Sequence, residues 1–399
     1  MQAFLKKLEG DKVLWMVTFF LSIISLLSVY SAISTLAMKA DGNSLKFLFK
    51  HLAMIILGFG AMFVVHKMRF KYFSRTSTIL IWIVAGMLLL TLFFGVDINN
   101  AKRWLRIPFV GMTFQTSDLA KIVLVTFVAR QLSIYRTQLH DFKKGVLPVL
   151  IPIVVICGLI LPADFSTAAM IGGVCFLMLF IGGVPAKHLS KIAAMGVLAI
   201  GLIYLVGSAA PNSLPRFGTW KNRIDNFFSP DADDAGNYQS DLAQAAIYNG
   251  GLFPSGPGTG SSRNYLPHPY SDMIYAFVIE EYGALFGGLG LLLLYLILLF
   301  RSIKMATRCP KHFGGLLALG LSLMLVCQAI VNMGVAVKIF PTTGQPLPMV
   351  SMGGTSMIFT CLSIAMIISV SRSVYNEEQW NKENKEDQKP SKTNSYVAP

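Results

Sequence analysis

The chain has 399 residues, of which 54% are hydrophobic and 14% are charged, and its mean hydropathy is +0.59. These values exclude an ordinary soluble domain and predict a polytopic membrane protein. The net charge of +14 gives no reason to expect nucleic-acid binding, because membrane proteins concentrate Lys and Arg in their cytoplasmic loops.

Ten apolar stretches are long enough to cross a hydrocarbon layer of about 30 Å, which needs about 20 helical residues. They are continuous rather than alternating, which predicts helices and excludes a β-barrel. We therefore predict an all-α membrane protein with about ten transmembrane helices and one long extracytoplasmic loop, 210–272, between the seventh and eighth. The predicted spans are 13–36, 47–66, 77–96, 119–135, 146–162, 166–184, 191–209, 273–300, 315–337 and 352–371.

The distribution of basic residues predicts that both termini are cytoplasmic. Lys and Arg are concentrated in the N-terminal segment 1–12 and in the connections after the second, fourth, sixth and eighth spans. The first apolar run is too long for a signal-peptide core, so we interpret it as an uncleaved span. Residues 13–372 then form the membrane domain, and the polar tail 373–399 is predicted to be disordered in the cytoplasm.

The five cysteines lie in predicted spans or in an inner loop, and none belongs to a CxxC motif or a Cys/His cluster. We predict neither a disulfide framework nor a metal site from them.

Asp272 ends the long outer loop, in the run Leu266-Pro-His-Pro-Tyr-Ser-Asp-Met-Ile-Tyr-Ala-Phe. A carboxylate placed where water, lipid headgroups and a helix start meet is a candidate general base. Loops of this length are usually functional or disordered, which makes 210–272 the predicted working loop. Within it, 238–249 has helical spacing and could lie along the membrane surface.

A glycine-rich segment, Gly256-Pro-Gly-Thr-Gly-Ser-Ser-Arg263, follows in the same loop. It could form a backbone nest whose N–H groups bind a phosphate beside the arginine. Clusters of Gly, Pro and Ser more often form plain turns, so both interpretations stay open. The segment matches no P-loop, because no Gly-Lys-Ser/Thr follows at the required spacing, and ATP is not implied.

Charged residues inside predicted spans usually face a polar cavity, because their insertion into lipid is costly. Asp118 and Lys121 are three residues apart on one helix and can pair. Glu280 and Glu281 lie about 12 Å along the helix from Asp272, at 1.5 Å per residue. A purely structural role is the alternative for both pairs.

Basic residues on the predicted outer face occur in two loops. Lys102, Arg103 and Arg106 lie in the 97–118 loop, and Arg216, Lys221 and Arg223 lie in the long loop. Cations from two loops could hold a pyrophosphate. Attraction to anionic lipid headgroups would explain the same residues without a substrate.

Several motifs resemble, in their order, those of the SEDS family (shape, elongation, division and sporulation), which are polytopic peptidoglycan glycosyltransferases. The resemblance covers residues from about 13 to 372. Thr116 and Asp118 depart from the family's usual Pro and Glu, and no departure touches Asp272. The motifs are Asn100-Ala-Lys-Arg-Trp-Leu, Phe114-Gln-Thr-Ser-Asp-Leu-Ala-Lys121, Asp164-Phe-Ser-Thr167, Gly250-Gly251 leading into Gly256-x-Gly258, Leu266-Pro267 leading to Asp272, and Asn332-Met-Gly334 through Pro341-x-x-Gly344-x-x-Leu347-Pro348-x-x-Ser351-x-Gly-Gly-Thr-Ser356.

The resemblance implies that the substrate is lipid II, a disaccharide-peptide on undecaprenyl pyrophosphate. Asp272 falls at the position of the family's catalytic aspartate, which implies a general base for inverting transfer to a 4-hydroxyl group. Fixed cations around the leaving pyrophosphate would lower the barrier. No cofactor is certain, although a divalent cation, Mg²⁺ or Mn²⁺, could share that duty. The expected substrate-binding residues are Lys102, Arg103, Asp118, Lys121, Arg216, Arg223, Arg263 and Ser351.

A second proline-rich segment, Pro341 to Gly354, is predicted to be a stiff re-entrant connection that shapes the substrate cavity, because such backbone at membrane depth must line protein or water.

The resemblance also implies partners and a place in the cell. We expect a class B penicillin-binding protein that crosslinks the strands, other division proteins and membrane lipids as partners. Residues 328–336 favour the family's cell-division branch, and hence the septum of the inner membrane, over its elongation branch. A lipid II flippase and a non-catalytic division scaffold are the alternatives. A transporter needs sites near the midplane, often with inverted repeats, whereas here the charged residues cluster outside.

Overall fold

The computed structural model describes residues 9–32, 44–98, 101–106, 113–209, 216–228, 235–266 and 270–387, without the side chains of 44–45, 97–98, 101–102, 235–237 and 376–387. It is a bundle of long helices, as predicted. The helices are α1 Lys12–Ala32, α2 Ser44–Val65, α3 Phe70–Phe94, α4 Thr116–Ile134, α5 Leu147–Ile160, α6 Phe165–Ile181, α7 Ala186–Ala209, α8 Phe217–Phe228, α9 Ala235–Gly250, α10 Ile274–Tyr282, α11 Gly290–Arg308, α12 His312–Ala336 and α13 Thr355–Asp387.

Each of the ten predicted spans has a helical counterpart in this bundle. Within the described ranges, eight segments are long and apolar enough to cross a membrane, judged by length and composition alone. The other two counterparts are α6, which is a shorter apolar helix, and α4, which carries three charged side chains. The polytopic all-helical fold is confirmed, and the count of ten spans stays a prediction.

The centre of the bundle is formed by α4, α12 and α13. Most residues of α4 are buried, and α12 and α13 are the most buried of the candidate spans. The periphery is different, because α7 buries almost nothing inside the protein. Its exposed apolar side chains are those of a helix that faces lipid.

A small antiparallel sheet stands on the predicted outer side, in the 97–118 loop. Its strands are β1 Val96–Ile98, β2 Ala101–Arg106 and β3 Thr113–Gln115, in the order β1-β2-β3. Trp104 of β2 lies opposite Gln115 of β3. The prediction of helices alone missed this sheet, because short charged strands carry little periodicity.

The long loop is more ordered than the sequence predicted. The helix expected at 238–249 is present as α9, and it buries Ser240, Ala243 and Ala246 on one face. A second helix, α8, was not predicted. It contains Arg223.

The C-terminal prediction needs a correction. The helix α13 continues to Asp387, whereas the tail from 373 was predicted to be disordered. Loss of apolar periodicity removes a packing face but not helix propensity, and Glu, Gln and Lys are good helix formers. Residues 1–8 and 388–399 lie outside the described residues, so the remaining predictions for the termini have no structural counterpart.

Candidate active site

A cavity of about 590 Å³ opens on the predicted outer side of the bundle, and Asp272 lies in its wall. We call it the Asp272 cavity. Its wall is built from β2, β3, α2, α8, the start of α13, and the segments that precede α6 and α10. The lining residues are Lys50, His51, Met54, Arg103, Trp104, Thr113, Gln115, Asp164, Arg216, Arg223, Tyr270, Ser271, Asp272, Gly344, Gln345, Pro346, Met352, Gly353, Gly354, Thr355 and Ser356.

Asp272 is half-buried just before α10. Ser271 Oγ donates a hydrogen bond to Asp272 Oδ1 over 2.5 Å. On the other side stands Gly344, whose φ is +67°, and a Cβ atom there would lie 3.5 Å from Asp272 Oδ2. Glycine thus allows the left-handed backbone and keeps the second carboxylate oxygen clear of side chains from this residue.

Arg103 is held at the cavity wall by the residues that precede α6. Its NH1 lies 3.0 Å from Asp164 Oδ2, and its Nε donates to the carbonyl of Ala163 over 2.9 Å. Arg216 NH1 donates to the same carbonyl over 2.8 Å. Asp164 also caps α6 by accepting from the backbone N–H of Thr167. Two guanidinium groups are therefore gathered at one carbonyl beside one carboxylate.

Arg223 extends this group of cations from α8. Burial and the neighbouring Arg103 lower the pKa of its guanidinium, whereas Asp164 and Asp272 raise it. The group remains charged, since arginine does not lose its proton in proteins. Arg223 is therefore within electrostatic range of both carboxylates. Tyr270 also lies close to Asp272, because burial and the charge of Asp272 raise the pKa of its phenol.

The cavity lining carries more positive than negative charge, with Lys50 and three arginines against Asp164 and Asp272. An anionic group would be attracted to it, and guanidinium groups match phosphate oxygens well. Trp104 and Tyr270 add aromatic surface of the kind that sugars contact. Such a lining can hold a phosphorylated glycan and keep one carboxylate within reach of it.

The lining does not fit a resident metal centre. In the part of the chain described above, no group of three or more His, Cys, Asp or Glu side chains is placed to hold a metal ion. Of the two carboxylates that line the cavity, Asp164 is already paired with Arg103. We therefore derive no step that uses a divalent cation.

Asp118 and Lys121 do not line the Asp272 cavity. They form a salt bridge of 2.8 Å in the bundle interior, with both side chains almost fully buried. Lys121 Nζ also donates to Gln328 Oε1 on α12 over 3.3 Å. The space beside the pair is only about 10 Å³, and it meets the cavity at Ser356. The predicted pairing is present, but Lys121 is separated from the groups around Asp272.

The glycine-rich segment does form a nest of N–H donors, but the chain's own carboxylates fill it. Glu280 Oε1 accepts from the backbone N–H groups of Ser261 and Ser262, at 3.0 and 3.1 Å. Glu281 Oε1 accepts from the N–H of Gly258 over 2.8 Å. The phosphate interpretation is therefore wrong, because the donors are already used.

The same region contains Arg263, which the resemblance assigned to the substrate. Its charge acts on Glu281, and it does not appear in the lining of the Asp272 cavity. Gly260 shows how tightly the nest closes, because a Cβ atom at this position would lie 2.8 Å from Glu280 Oε2. We interpret Arg263 as part of this structural cluster.

Two further predicted substrate residues have other positions. Ser351 is buried, and its Oγ donates to the carbonyl of Ser271 over 2.7 Å, so it supports the Asp272 loop. Lys102 lies on β2, and its side chain lies outside the described residues. The predicted cations that the structure does bring together are Arg103, Arg216 and Arg223.

Sequence reasoning missed several residues of the site. Lys50 and His51 line the cavity from α2, which was predicted only as a membrane span. The signal available was a Lys-His pair near the outer end of that span, since charged residues in spans usually face a polar cavity. Gln345 lines the cavity within the Pro341 to Gly354 segment, which was predicted to shape it, although the residue itself was not singled out. Asn332, which donates to the Gln345 carbonyl, lies in a motif to which no role had been given.

Residues 11–376 match the family model described as cell cycle protein, FtsW/RodA/SpoVE. The chain is 33% identical over 356 residues to a probable peptidoglycan glycosyltransferase FtsW of Hydrogenovibrio crunogenus, with 87% of each chain covered. It is 31% identical over 375 residues to stage V sporulation protein E of Bacillus subtilis, with 92% of this chain and 98% of that one covered.

The fold also resembles two solved structures. A chain from a peptidoglycan synthase complex that coordinates polymerization and crosslinking superposes with a TM-score of 0.69 at 27% identity, with 92% of this chain and 98% of that one covered. The rod shape determining protein RodA of Thermus thermophilus superposes with a TM-score of 0.65 at 24% identity, over the same shares of the two chains. The second likeness concerns the fold alone.

Proposed function

The chain belongs to the FtsW/RodA/SpoVE family of cell cycle proteins, and we propose that it is a peptidoglycan glycosyltransferase that polymerises lipid II into β-1,4 glycan strands at the outer face of the membrane. The family confirms the resemblance noted in the sequence. The single observation that carries the site assignment is the placement of Asp272 in one open cavity with Arg103, Arg216 and Arg223. A relative at 33% identity bears the name of such a transferase.

In the proposed reaction, Asp272 accepts the proton from the 4-hydroxyl of the acceptor GlcNAc. The resulting oxygen nucleophile attacks the anomeric carbon of the donor MurNAc with inversion. The bond from that carbon to the pyrophosphate oxygen breaks, and its electron pair leaves with undecaprenyl pyrophosphate. Asp272 has one oxygen bonded to Ser271 Oγ, so the other is available to the hydroxyl.

The leaving pyrophosphate gathers charge as the bond breaks, and cations fixed in advance stabilise it without reorganisation. Arg103 and Arg216 are fixed by the Ala163 carbonyl, and Arg103 also by Asp164. We assign them and Arg223 to the pyrophosphate. We no longer assign Lys121 to it, because its ammonium is buried in a pair with Asp118.

The relatives and the sequence support a proposal for the partner and the location. We propose a class B penicillin-binding protein as the crosslinking partner, because a structural neighbour comes from a complex that coordinates polymerization with crosslinking. We also propose cytoplasmic termini, because Lys and Arg are concentrated in the N-terminal segment and in the connections on the same side. A role at the division septum is proposed because relatives named FtsW are among the similar proteins. An elongation role is the competing assignment within the family.

The proposal is tested with purified protein in liposomes, with fluorescent lipid II and with or without the cognate penicillin-binding protein. Glycan polymer is measured on gels, and released undecaprenyl pyrophosphate is measured in parallel. We expect polymer and one released carrier per bond formed. Asp272→Asn is the matched control, since it keeps the shape of the side chain and removes the base.

The outcomes separate the alternatives. Movement of lipid II across the bilayer without polymer, even with the partner present, would establish the flippase interpretation. Neither movement nor polymer would favour a scaffold. If wild type and Asp272→Asn make equal amounts of polymer, the protein is still a glycosyltransferase, but Asp272 is not its general base.

A further inference from the structure

The segment that ends in Asp272 is held at three successive backbone carbonyls. The backbone N–H of Met352 donates to the Tyr270 carbonyl over 2.9 Å. Ser351 Oγ donates to the Ser271 carbonyl over 2.7 Å. Asn332 Nδ2 donates to the carbonyl of Asp272 itself over 2.7 Å. The position of the carboxylate is therefore set by its backbone, from outside its own segment.

Asn332 differs from the other two donors because it holds two segments at once. Its Nδ2 also donates to the carbonyl of Gln345 over 2.7 Å. Gln345 follows Gly344, which stands against the Asp272 carboxylate, and both line the cavity. One side chain on α12 thus fixes the backbone of the acid and the backbone of the wall opposite it.

The orientation of this amide is settled by chemistry. Both neighbours of the Nδ2 atom are carbonyl oxygens, which can only accept hydrogen bonds, so the nitrogen must face them. Asn332 is 1% exposed, and its Oδ1 is buried without a hydrogen-bond partner among the described residues. A buried acceptor without a donor lowers stability. The side chain thus satisfies two backbone carbonyls while its own oxygen stays without a donor.

The re-entrant segment to which Asn332 attaches is itself fixed by other helices. Gln328 Nε2 donates to the Pro346 carbonyl, Tyr295 OH to the Pro348 carbonyl and Ser25 Oγ to the Val350 carbonyl. These carbonyls lack strand or helix partners, and buried side chains satisfy them instead. The attachment point is therefore rigid, and Asn332 transmits that rigidity to Asp272.

We propose that Asn332 is the positioning residue of the reaction, which holds the Asp272 carboxylate in the cavity wall through the backbone carbonyls of Asp272 and Gln345. This inference rests on the proposed function. It assigns Asn332 no contact with the substrate. Its loss should therefore slow the chemical step and leave substrate binding unchanged.

The test uses Asn332→Leu, which keeps the number and branching of the side-chain heavy atoms and removes both donors. Polymerisation is measured in liposomes with the partner protein, and lipid II binding and Tm are measured on the same samples. We expect kcat to fall roughly 100-fold, since a misplacement of about 1 Å can cost that much. KM and the Kd for lipid II should stay within about three-fold. Tm should fall, because the buried carbonyls of Asp272 and Gln345 lose their donor, so kcat is given per folded molecule.

A matched control and a second variant keep the test decisive. Tyr275→Phe removes a hydroxyl that donates to the Gly288 carbonyl over 3.2 Å, which is also a buried side-chain donor to a backbone carbonyl but holds neither the Asp272 segment nor the wall opposite it. Its kcat should fall by less than about three-fold. Ser351→Ala removes the donor to Ser271 and should lower kcat by roughly 10-fold, again with unchanged Kd. If Asn332→Leu does not fold, Asn332→Ala, which removes the same two donors with a smaller side chain, is measured in its place.

Three results would overturn the inference. They are an unchanged kcat in a folded Asn332→Leu, a rise of KM and Kd without loss of kcat, and an equal loss in Tyr275→Phe. The failure of the proposed function would look different, because wild-type protein would then make no polymer.

Discussion

Asp272 and Glu280 are two carboxylates close together in the chain, and each accepts a hydrogen bond from a serine hydroxyl, yet their surroundings are opposite. Glu280 is 4% exposed and accepts from the N–H and hydroxyl groups of Ser261 and Ser262, four donors in all. Asp272 opens onto a cavity of about 590 Å³. A carboxylate whose oxygens are already satisfied holds structure, whereas one that faces open space can take a proton.

Asp118 belongs with Glu280 in this comparison. It is buried against Lys121, so breaking the pair leaves a charge without its partner, which typically costs about 3–5 kcal/mol. We expect Lys121→Met to lower the free energy of unfolding by this amount, measured by thermal unfolding in detergent. The double variant Asp118→Leu/Lys121→Met should recover most of the loss. If the double variant is stable but does not polymerise lipid II, Lys121 has a role in the reaction and not only in stability.

Glu280→Gln should give the next largest effect. Hydrogen bonds to a charged group contribute about 1.5–3 kcal/mol each, and the neutral amide keeps the shape but weakens the nest. We expect a loss of about 2 kcal/mol in the free energy of unfolding, visible as a lower Tm. Polymerisation per folded molecule should be preserved. Loss of turnover at unchanged Tm would show that Glu280, like Asp272, takes part in the reaction.

Arg103→Lys tests the cavity side of the comparison. Lysine keeps the charge, but it has a single side-chain nitrogen. It cannot reproduce the two nitrogen atoms with which Arg103 contacts the Ala163 carbonyl and Asp164. We expect kcat/KM for lipid II to fall roughly 10-fold, about 1.4 kcal/mol, with little change in Tm. Arg263→Lys is the control, because Arg263 acts on Glu281. If both variants lose the same activity, the assignment of cations to the cavity is wrong.

The smallest effect is expected at a carboxylate that is neither buried nor in the cavity. Asp241 is 58% exposed and pairs with Lys338 over 2.9 Å. Exposed pairs contribute about 0–1 kcal/mol, and salt screens them. Asp241→Asn should change the free energy of unfolding by less than about 1 kcal/mol, and the difference should shrink at high ionic strength. A larger change would mean that the exposure of a carboxylate does not determine how much it contributes to the free energy of unfolding.

The predicted membrane-spanning helices could be found in the sequence because each contains a continuous apolar run. The sheet at Ala101–Arg106 and the helix Phe217–Phe228 could not, since they are short, polar and fixed by tertiary contacts. The C-terminal extension of α13 was missed because it has no apolar face.

Asp272 and Arg103 could be predicted through the order of the motifs, and Arg216 and Arg223 through the basic residues of the long loop. The geometry of the site could not be predicted. No pattern of residues indicates that Glu280 would fill the glycine-rich nest, or that Lys121 would be buried away from Arg103. Both outcomes depend on which partner lies nearest in space, and no local pattern encodes that.

The most direct test of the account is the release of undecaprenyl pyrophosphate in a single turnover at saturating lipid II, normalised to folded protein. Wild type, Asp272→Asn and Glu280→Gln would be compared in the same liposomes with the same partner protein. Removal of a general base typically costs about 10²–10⁴-fold, so we predict such a loss for Asp272→Asn and a rate within about three-fold of wild type for Glu280→Gln. A normal rate for Asp272→Asn, or a comparable loss in both variants, would contradict the assignment of the base to the open cavity.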